Sequence, residues 1–333
     1  MIRSPLRRLG IAAGTAITAA LALVAGSTSG ASAAASYRLI VQPDTNVSAI
    51  YSYITSATKS IDLTMYELVD TTAEQDLAAA EAKGVTVRVI LDVRKKSTNQ
   101  TAYTYLKGKS VGVAWSSSKY YYTHEKSMVV DGTTALVMSG NLTSQYYSAD
   151  RNYTVVDTDT ADITAIETVF TADYAGTTVT PGDGDNLVWS PTDAQSKLLA
   201  LINNATSSLW IEAQEMGYST VVNALVSAEN RGVDVRVVMT NSSDDYASEF
   251  DTLTAAGVKV STYADTASLY IHAKAIVADY GLSTAKVFVG SQNFSSTSLN
   301  SNRELGIILA DTTIESGVKT VIASDYAGGT LWS

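Results

Sequence analysis

The stretch His124-Glu-Lys-Ser-Met-Val-Val-Asp131 is closely similar to a second stretch, His272-Ala-Lys-Ala-Ile-Val-Ala-Asp279. Both have the pattern His-x-Lys-x4-Asp, and together they contain the only two histidines of the 333-residue chain. A lone histidine is usually an ordinary core or surface residue, but chance would place this pattern around both histidines in only about one chain in a hundred thousand. The two stretches therefore indicate two equivalent positions of one site.

The two stretches belong to a longer repeat. Equivalent residues such as Gly84 and Gly232 lie 148 positions apart, as the two histidines do. Beyond the motifs the separation becomes 152, as for Arg151 and Arg303, and the tail Asp-Tyr-Ala-Gly at 173–176 recurs at 325–328. The separation between equivalent residues is constant except for one insertion of four residues in the second copy. This pattern predicts two similar lobes, residues 36–180 and 183–333, joined by a Gly/Pro/Asp-rich junction.

Each lobe has the pattern of an α/β fold. In the first lobe, apolar β-rich runs that predict strands alternate with longer helical patterns. The Asp131-Gly132 pair predicts a tight hairpin, so the sheet should be mixed. We expect two mixed sheets flanked by helices, related by a pseudo-twofold axis with the active site between them. The predicted strands are 37–42, 60–65, 85–91, 112–115, 126–130 and 134–138, and the predicted helices are 47–57, 72–83 and 101–107.

The N-terminus has the pattern of a secretory signal peptide over residues 1–35. A basic segment with Arg3, Arg7 and Arg8 precedes an apolar run, 9–25, and the small residues at 31–35 offer a cleavage site. A membrane anchor is disfavoured because the run is shorter than about 18 residues. We therefore expect a secreted, soluble protein without cysteine, and so without disulfides or cysteine-ligated metal.

Charge bears on the substrate class. Without the leader, 20 Lys and Arg residues stand against 33 Asp and Glu residues, a net charge of about −13. Non-specific nucleic-acid binding proteins usually have the opposite balance, so the composition disfavours nucleic acid, although a local cleft can be basic on an acidic protein.

The motif spacing predicts a phosphate site. Residues two apart on a strand share a face, so each lobe should direct one imidazole and one ammonium group into a shared cleft. The aspartates, seven residues after the histidines, should face away, which favours an orienting or structural role for their side chains. Downstream, Ser139-Gly-Asn141 and Ser291-Gln-Asn293 occupy equivalent positions and offer hydroxyl and amide donors for phosphoryl oxygens.

These residues resemble the phospholipase D superfamily, whose signature is a doubled His-x-Lys-x4-Asp motif, and the resemblance extends from Leu39 to Gly328. It implies hydrolysis of a phosphodiester through a phosphohistidine, with neither metal nor other cofactor. By this resemblance His124 is the nucleophile, and His272 is the acid and then the base. It also implies that Lys126, Lys274, Asn141 and Asn293 hold the phosphoryl oxygens, that Ser139 and Ser291 assist, and that Asp131 and Asp279 complete the catalytic set.

The two histidines are expected to differ in their orienting partners. The family usually places a carboxylate after each downstream segment, and Glu304 fits that place behind His272. The equivalent residue behind His124 is Asn152, which would stabilise an imidazolium less well, although Asp150 is an alternative after a small backbone shift. This inequality predicts that His124 stays neutral and attacks.

Tyrosines and two acids flank the motifs. Tyr120 to Tyr122, Tyr146, Tyr147 and Tyr270 suit either a lipid or base contact or ordinary strand packing. Glu67 and Glu215 are repeat-equivalent acids expected near the cleft, where they could tune a lysine or histidine or be structural.

Three functions are compatible with these features. The leading hypothesis is a phospholipase D-type enzyme that cleaves head groups at a membrane or micelle surface, as a monomer and without stable membrane insertion, with transfer to alcohols as a further outcome. The alternative is a secreted metal-independent endonuclease, which a continuous Lys/Arg groove past both lysines would favour. The third is a non-catalytic phosphate-binding module.

Overall fold

The two lobes are described by a computed structural model that covers residue 1 and residues 35–333. The predicted leader spans residues 1–35, of which residues 2–34 lie outside the described part. None of the described helices is long and apolar enough to span a lipid bilayer.

The predicted strands and helices of the first lobe are present in the predicted order, but strands Leu68–Val69, Leu142–Thr143 and Asp150–Asp157 and helix Thr160–Tyr174 were not predicted. Helix 96–108 begins five residues earlier than expected, because the chain enters it directly from a short 3-10 turn at 93–95 that Asp92 caps. Its strands are β1 (Tyr37–Gln42), β2 (Ser60–Met65), β3 (Leu68–Val69), β4 (Thr86–Leu91), β5 (Gly112–Trp115), β6 (Lys126–Val130), β7 (Thr134–Met138), β8 (Leu142–Thr143) and β9 (Asp150–Asp157). Its helices are α1 (Ser48–Ser56), α2 (Thr71–Ala82), α3 (Lys96–Gly108) and α4 (Thr160–Tyr174).

The second lobe repeats this series. Its strands are β10 (Leu187–Ser190), β11 (Ser208–Glu212), β12 (Asp234–Asn241), β13 (Lys259–Ala264), β14 (Tyr270–Ile271), β15 (Ala275–Ala278), β16 (Lys286–Gly290), β17 (Glu304–Leu309) and β18 (Thr330–Leu331). Its helices are α5 (Ala194–Asn204), α6 (Ser219–Asn230), α7 (Ala247–Ala255), α8 (Ser296–Asn300) and α9 (Thr312–Gly328).

The two large sheets have the same strand order. It is β1-β9-β7-β6-β2-β4-β5 in the first and β10-β17-β16-β15-β11-β12-β13 in the second, with β18 added at the edge. In each sheet the three strands joined by helical crossovers are parallel (β2, β4, β5; β11, β12, β13), and the hairpin strands are antiparallel. The prediction of two similar α/β lobes with mixed sheets is confirmed.

Local signals in the sequence explain the turns of this framework. Asp131 and Gly132 both have positive φ angles, 56° and 65°, as the tight turn between β6 and β7 requires. Gly84 ends α2 with a φ of 94°, and its repeat equivalent Gly232 ends α6 with a φ of 91°. The repeat is therefore visible in backbone conformation as well as in sequence.

Three apolar cores hold the molecule together. Helices α1 to α3 pack on one face of the first sheet, and α5 to α7 pack in the same way on the second. The opposite faces of both sheets share a third core, to which α4 and α9 contribute. Because this core contains side chains of both lobes, the lobes are fixed against each other and the segments that carry the histidines meet between them.

Candidate active site

Each histidine motif enters its sheet from the boundary between the lobes. His124 precedes β6, which begins at Lys126, and both His272 and Lys274 precede β15. Each lysine Nζ lies 2.5 Å from the carbonyl oxygen of the histidine two residues earlier and donates a hydrogen bond to it. The His-x-Lys part of each motif is thus a short bend at the start of its strand. The bend is stabilised by the hydrogen bond from the lysine ammonium to the backbone carbonyl of the histidine.

The segment before each motif pairs with the other lobe. Thr123 forms a parallel bridge with Arg303, and Ile271 pairs in parallel with Arg151. The backbone amide of His124 also donates to the carbonyl of Arg303, at 2.9 Å. These two pairings are equivalent under the repeat, so each motif lies against the strand that carries the orienting residue of the opposite lobe.

This crossing corrects the predicted orienting partners. Glu304 Oε2 accepts from Nδ1 of His124 at 2.8 Å, and Asn152 Oδ1 accepts from Nδ1 of His272 at 2.8 Å. The expectation that Glu304 stands behind His272 and Asn152 behind His124 is wrong, because β9 and β17 each extend across the lobe boundary. The reason that this expectation gave for a neutral, attacking His124 is wrong with it, and the assignment of His124 as nucleophile then follows from the resemblance alone. Asp150, the alternative partner of His124, makes no hydrogen bond to it.

The two downstream serines hold the orienting residues. Ser139 is fully buried and its Oγ donates to Asn152 Oδ1 at 2.9 Å, while it accepts from the backbone of Tyr153. Ser291 is equally buried and accepts from the amide of Leu305, the residue after Glu304. Neither serine lines the cavity described below, so the expectation that they assist phosphate binding is replaced by a positioning role.

Glu304 has further partners of its own. Its Oε1 accepts from Ser298 Oγ at 2.5 Å and from Asn302 Nδ2 at 2.8 Å. Burial acts to raise the pKa of Glu304, but His124, the charge of Lys126 and the hydrogen bond from Ser298 hold it below its usual range. A fully buried carboxylate thus stays ionised and keeps the His124 proton on Nδ1, which leaves Nε2 free to attack.

Both motif aspartates are structural. Asp131 accepts from the backbone amides of Thr58, Lys59 and Ser60, the loop between α1 and β2, and Asp279 does the same for the amides of 206–208. Burial opposes the shift, but these hydrogen bonds lower the pKa of Asp131 to about 2. This agrees with the structural role expected from their spacing, and neither aspartate lines the cavity into which the histidines open, so the geometry does not support their place in the catalytic set.

The histidines open into one cavity of ≈ 540 Å³. Asn141 and Asn293 line it, as predicted for the phosphate-binding amides, and the Oδ1 atoms of both are buried without a hydrogen-bond partner in the described chain. The two motif lysines are fully buried behind it. The remaining residues of the lining are Tyr66, Glu67, Lys95, Thr143, Tyr146, Tyr147, Ala149, Asp150, Asn152, Gln214, Glu215, Asp265, Ala267 and Tyr270.

Burial controls the protonation of the cationic groups. It lowers the pKa of His124 to about 4, with Glu304 acting in the opposite direction, and it lowers that of His272 well below the usual value, aided by the nearby lysines. Burial also lowers the pKa of Lys274 to about 7 and that of Lys126 well below its usual range. An entering phosphodiester anion would reverse these shifts, because its charge favours the protonated forms.

Two ion pairs cross the lobe boundary beneath the site. Arg151 contacts Asp325 at 2.5 Å, and the repeat-equivalent Arg303 contacts Asp173 at 2.8 Å. Both aspartates belong to the recurring Asp-Tyr-Ala-Gly segment, whose repetition marked them as equivalent residues. The sequence alone did not show that each aspartate forms its ion pair with the arginine of the opposite lobe.

Other cavity residues were only partly foreseen. Glu67 and Glu215 lie at the cavity as expected, whereas Lys95 and Tyr66 had no repeated signal. Tyr66 packs edge-on against His124 with ring centroids 4.6 Å apart, and Lys95 forms an ion pair with Glu67 at 2.7 Å. Lys95 also lies over the ring of Tyr66, so these residues form one connected group beside His124.

The comparisons with known proteins agree with this geometry. The family model described as "Cardiolipin synthase, PLD-like domain" matches residues 50–174 and 198–326, one copy in each lobe. No curated protein matches the chain.

Several solved structures are similar to this chain. Phosphatidylserine synthase from Haemophilus influenzae Rd KW20 superposes with a TM-score of 0.68 at 12% identity, over 89% of this chain and 87% of that one. Polyphosphate kinase from Porphyromonas gingivalis gives 0.68 at 14% identity, over 87% of this chain, which spans only 50% of the kinase. Nuc from Salmonella typhimurium, described as a phospholipase D family member, gives 0.41 at 20% identity over 44% of this chain and 99% of its own. Because the family match covers most of the chain and both histidine motifs, this chain belongs to the phospholipase D-like family, whose members are phosphodiesterases and phosphotransferases.

Proposed function

We propose that this chain cleaves the head-group phosphodiester of phospholipids through a phosphohistidine on His124. The observation that carries the proposal is the pair of imidazoles that face one cavity with unlike Nδ1 partners, a carboxylate for His124 and an amide for His272. The carboxylate suits the residue that must carry positive charge as a covalent phosphohistidine. The amide suits the residue that must give its proton away, because it stabilises the imidazolium less.

The reaction has two displacements at phosphorus. His124 Nε2 attacks, the bond from phosphorus to the head-group oxygen breaks, and His272 gives its proton to the departing alkoxide. Neutral His272 then takes a proton from water, whose oxygen attacks phosphorus as the bond to Nε2 breaks. An alcohol in place of water gives transphosphatidylation. The Asn141 and Asn293 amides, with the charge of the two buried lysines, would stabilise the phosphoryl oxygens.

The charge of the cavity supports a lipid over a nucleic acid. Its lining includes four carboxylates, those of Glu67, Asp150, Glu215 and Asp265, and Lys95 is the one Lys or Arg side chain among the described lining residues. A nucleic acid brings a charge on every phosphate and is usually bound by a basic track. The acidic composition of the chain supports the same choice.

Export completes the proposal. The predicted leader supports a secreted enzyme that acts, as a monomer, on lipid at a membrane or micelle surface without inserting stably. Mass determination of the protein recovered from culture medium tests this: a mature chain that begins at residues 33–36 is expected, and retention of the full leader in the cell would contradict it.

The activity is tested on phosphatidylcholine and plasmid DNA side by side in EDTA. Release of choline is expected, with phosphatidylethanol as the product when ethanol is added, and both should be lost in His124→Ala. DNA cleavage with inert lipid would refute the lipid assignment in favour of the nuclease.

The roles of the two histidines are tested with His272→Ala and a diester that has a p-nitrophenolate leaving group. Such a leaving group needs little protonation, so the variant should form the intermediate but hydrolyse it slowly. Peptide mapping should place the phosphoryl label on His124. For the wild-type enzyme, rapid quenching with label on His272 would reverse the roles.

A further inference from the structure

The equivalent segments 93–124 and 241–272 of the two lobes have opposite charge. The first contains six Lys and Arg residues and neither Asp nor Glu, whereas the second contains five Asp and Glu residues and one lysine. Both segments form a helix, a strand and the loop that leads to a histidine motif. Because the same fold accommodates either charge, it does not require the cations of the first segment, which belong to a chain with a net charge of −10.

Three of these cations lie at the end of the first sheet that also bears the cavity. Strands β2, β4 and β5 are parallel, so all three finish at the same end of the sheet. Tyr66, which lines the cavity, follows β2, whereas Arg94 and Lys96 follow β4 and Lys119 follows β5. We call Arg94, Lys96 and Lys119 the cationic patch. All three residues are exposed, and none has an ion-pair partner within the part of the chain that the structure describes.

Aromatic rings support the cationic patch and connect it to the site. Each cation lies over a ring, with its charged group 5.3 to 5.6 Å from the ring centroid: Arg94 over Tyr121, Lys96 over Trp115 and Lys119 over Tyr120. Tyr121 is 51% exposed and packs edge-on against Tyr122. Tyr122 in turn contacts Tyr66, and Tyr66 contacts His124. A continuous series of rings therefore runs from the exposed patch to the proposed nucleophile.

Two of the cations occupy positions that are unfavourable for the helix beside them. Arg94 lies in the turn that leads into α3, and Lys96 is the first residue of α3. The helix dipole disfavours positive charge at this end. The equivalent residues of the second lobe are Ser242 and Asp244, which are residue types that favour a helix start. The first lobe thus keeps these cations against a local preference, as is common where a surface has a function.

The charge and the rings of this surface are complementary to an anionic lipid bilayer. We propose that the cationic patch docks on the phosphates of anionic phospholipids, so that the first lobe alone holds the protein on the membrane with its cavity beside the lipid. Lys and Arg place their stems on apolar surface and their charge in water, and Tyr and Trp favour the same depth of the interface. Tyr146, which lines the cavity and is 48% exposed, offers a further such ring. The inference rests on the proposed action on phospholipids, although docking itself needs no catalysis.

A nucleic acid fits the cationic patch less well than a bilayer does. Single strands are bound by rings that stack on bases, whereas each ring of the patch already has a cation over it. A polyanion that passed through the cavity would also meet the second lobe, where the equivalent segment is acidic. A bilayer contacts only the surface that faces it, and charges beyond the Debye length of about 8 Å contribute little.

The test measures binding to sedimented lipid vesicles with the His124→Ala variant, so that no lipid is consumed. Vesicles of phosphatidylcholine alone are compared with vesicles that contain phosphatidylcholine and phosphatidylglycerol in equal amounts. Each basic residue near an anionic surface strengthens binding about fivefold. With three such residues, the partition coefficient should be about a hundredfold higher for the anionic vesicles, and this preference should decrease at high salt.

Two double variants with the same change in net charge locate the binding surface. Arg94→Gln combined with Lys96→Gln should lower the partition coefficient for anionic vesicles about 25-fold. The matched control combines Lys59→Gln and Lys83→Gln, two exposed residues that precede β2 and β4 at the opposite end of the sheet, about 20 Å away. This control should change the coefficient less than about twofold. Lys119→Gln alone should lower it about fivefold, which keeps the test open if the first double variant does not fold.

The outcomes separate docking from catalysis. Equal binding to the two kinds of vesicle, or equal losses in the two double variants, would overturn the role of the cationic patch, and cleavage of a soluble short-chain phosphatidylcholine by the wild-type protein would still support the proposed function. Binding of a single-stranded oligonucleotide through Arg94 and Lys96, without binding to vesicles, would overturn the lipid assignment in favour of a nucleic acid. Vesicle binding through the patch by a wild-type protein that cleaves no phospholipid would support the patch and refute the proposed function.

Discussion

Replacement of Asn152 by Asp tests the crossed arrangement of the site directly. Asn152 Oδ1 accepts the Nδ1 proton of His272 at 2.8 Å, although it belongs to the lobe of His124. Asn152→Asp keeps the shape of the side chain and adds one negative charge beside one imidazole. Both histidines would then have a carboxylate partner, as the pseudo-twofold axis alone would dictate.

The expected effect is a large rise in the pKa of His272. Two unit charges about 4 Å apart interact by about 4 kcal/mol at an effective dielectric of about 20, which corresponds to about three pKa units. Burial of the new carboxylate and its hydrogen bond from Ser139 reduce the gain, so we expect a rise of about one to three units. His124, which is bound to Glu304, should change by less than about half a unit.

The measurement is an NMR titration of the imidazole protons. The sequence contains two histidines, so two signals are expected, and His124→Ala assigns them. Because burial holds the pKa of His272 well below its usual value, the rise should increase the fraction of His272 that is protonated at neutral pH. A shift of the His124 signal with His272 unmoved would refute the crossed pairing and restore the pairing within each lobe.

Two further changes test the supports of the site. Asp325→Asn breaks the buried pair with Arg151 and should lower the free energy of unfolding, measured in urea, by about 3 kcal/mol. The control Asp44→Asn removes the exposed partner of the same arginine and should lower it by less than about 1 kcal/mol. Similar losses in the two variants would contradict a buried pair. The folded pKa of Asp131, about 2, lies below the unfolded value of about 3.9, so its stabilising effect is complete above about pH 4 and is lost as pH falls toward 2. The Asp131→Asn variant should therefore have a lower free energy of unfolding than the wild type at pH 7. Between pH 4 and 2 its free energy of unfolding should fall less than that of the wild type, and an unchanged pH dependence would contradict this role.

Strand and helix positions followed from the sequence because each is set by local patterns. Apolar, β-rich runs gave β1, β2, β5, β6 and β7 with their observed bounds, and the Asp131-Gly132 pair gave the hairpin. The repeat gave the second lobe by equivalence. The prediction missed β3, β8, β9 and α4, and it placed the start of α3 five residues late, because residues 96–101 are all polar and the helix follows a capped turn without a break.

The site was predictable as a set of residues but not as a set of partners. The repeat identified His124, His272, Asn141 and Asn293, all of which reach the cavity. It could not show that Glu304 crosses to His124, because the register between the lobes depends on a shared core and on β14, a two-residue strand that pairs with the first sheet. Equivalent positions in a repeat indicate what a residue can do, whereas the packing of the lobes decides for which histidine it does so.

The crossed hydrogen bonds have a consequence for how such a chain can arise. A single lobe holds a histidine but not the side chain that orients it, so an ancestor with one lobe would have been complete only as two identical subunits around a twofold axis. In that assembly both imidazoles must have had the same partner. Within one chain this constraint is absent, and Asn152 and Glu304 give the two histidines different chemical environments within a framework that is nearly symmetric.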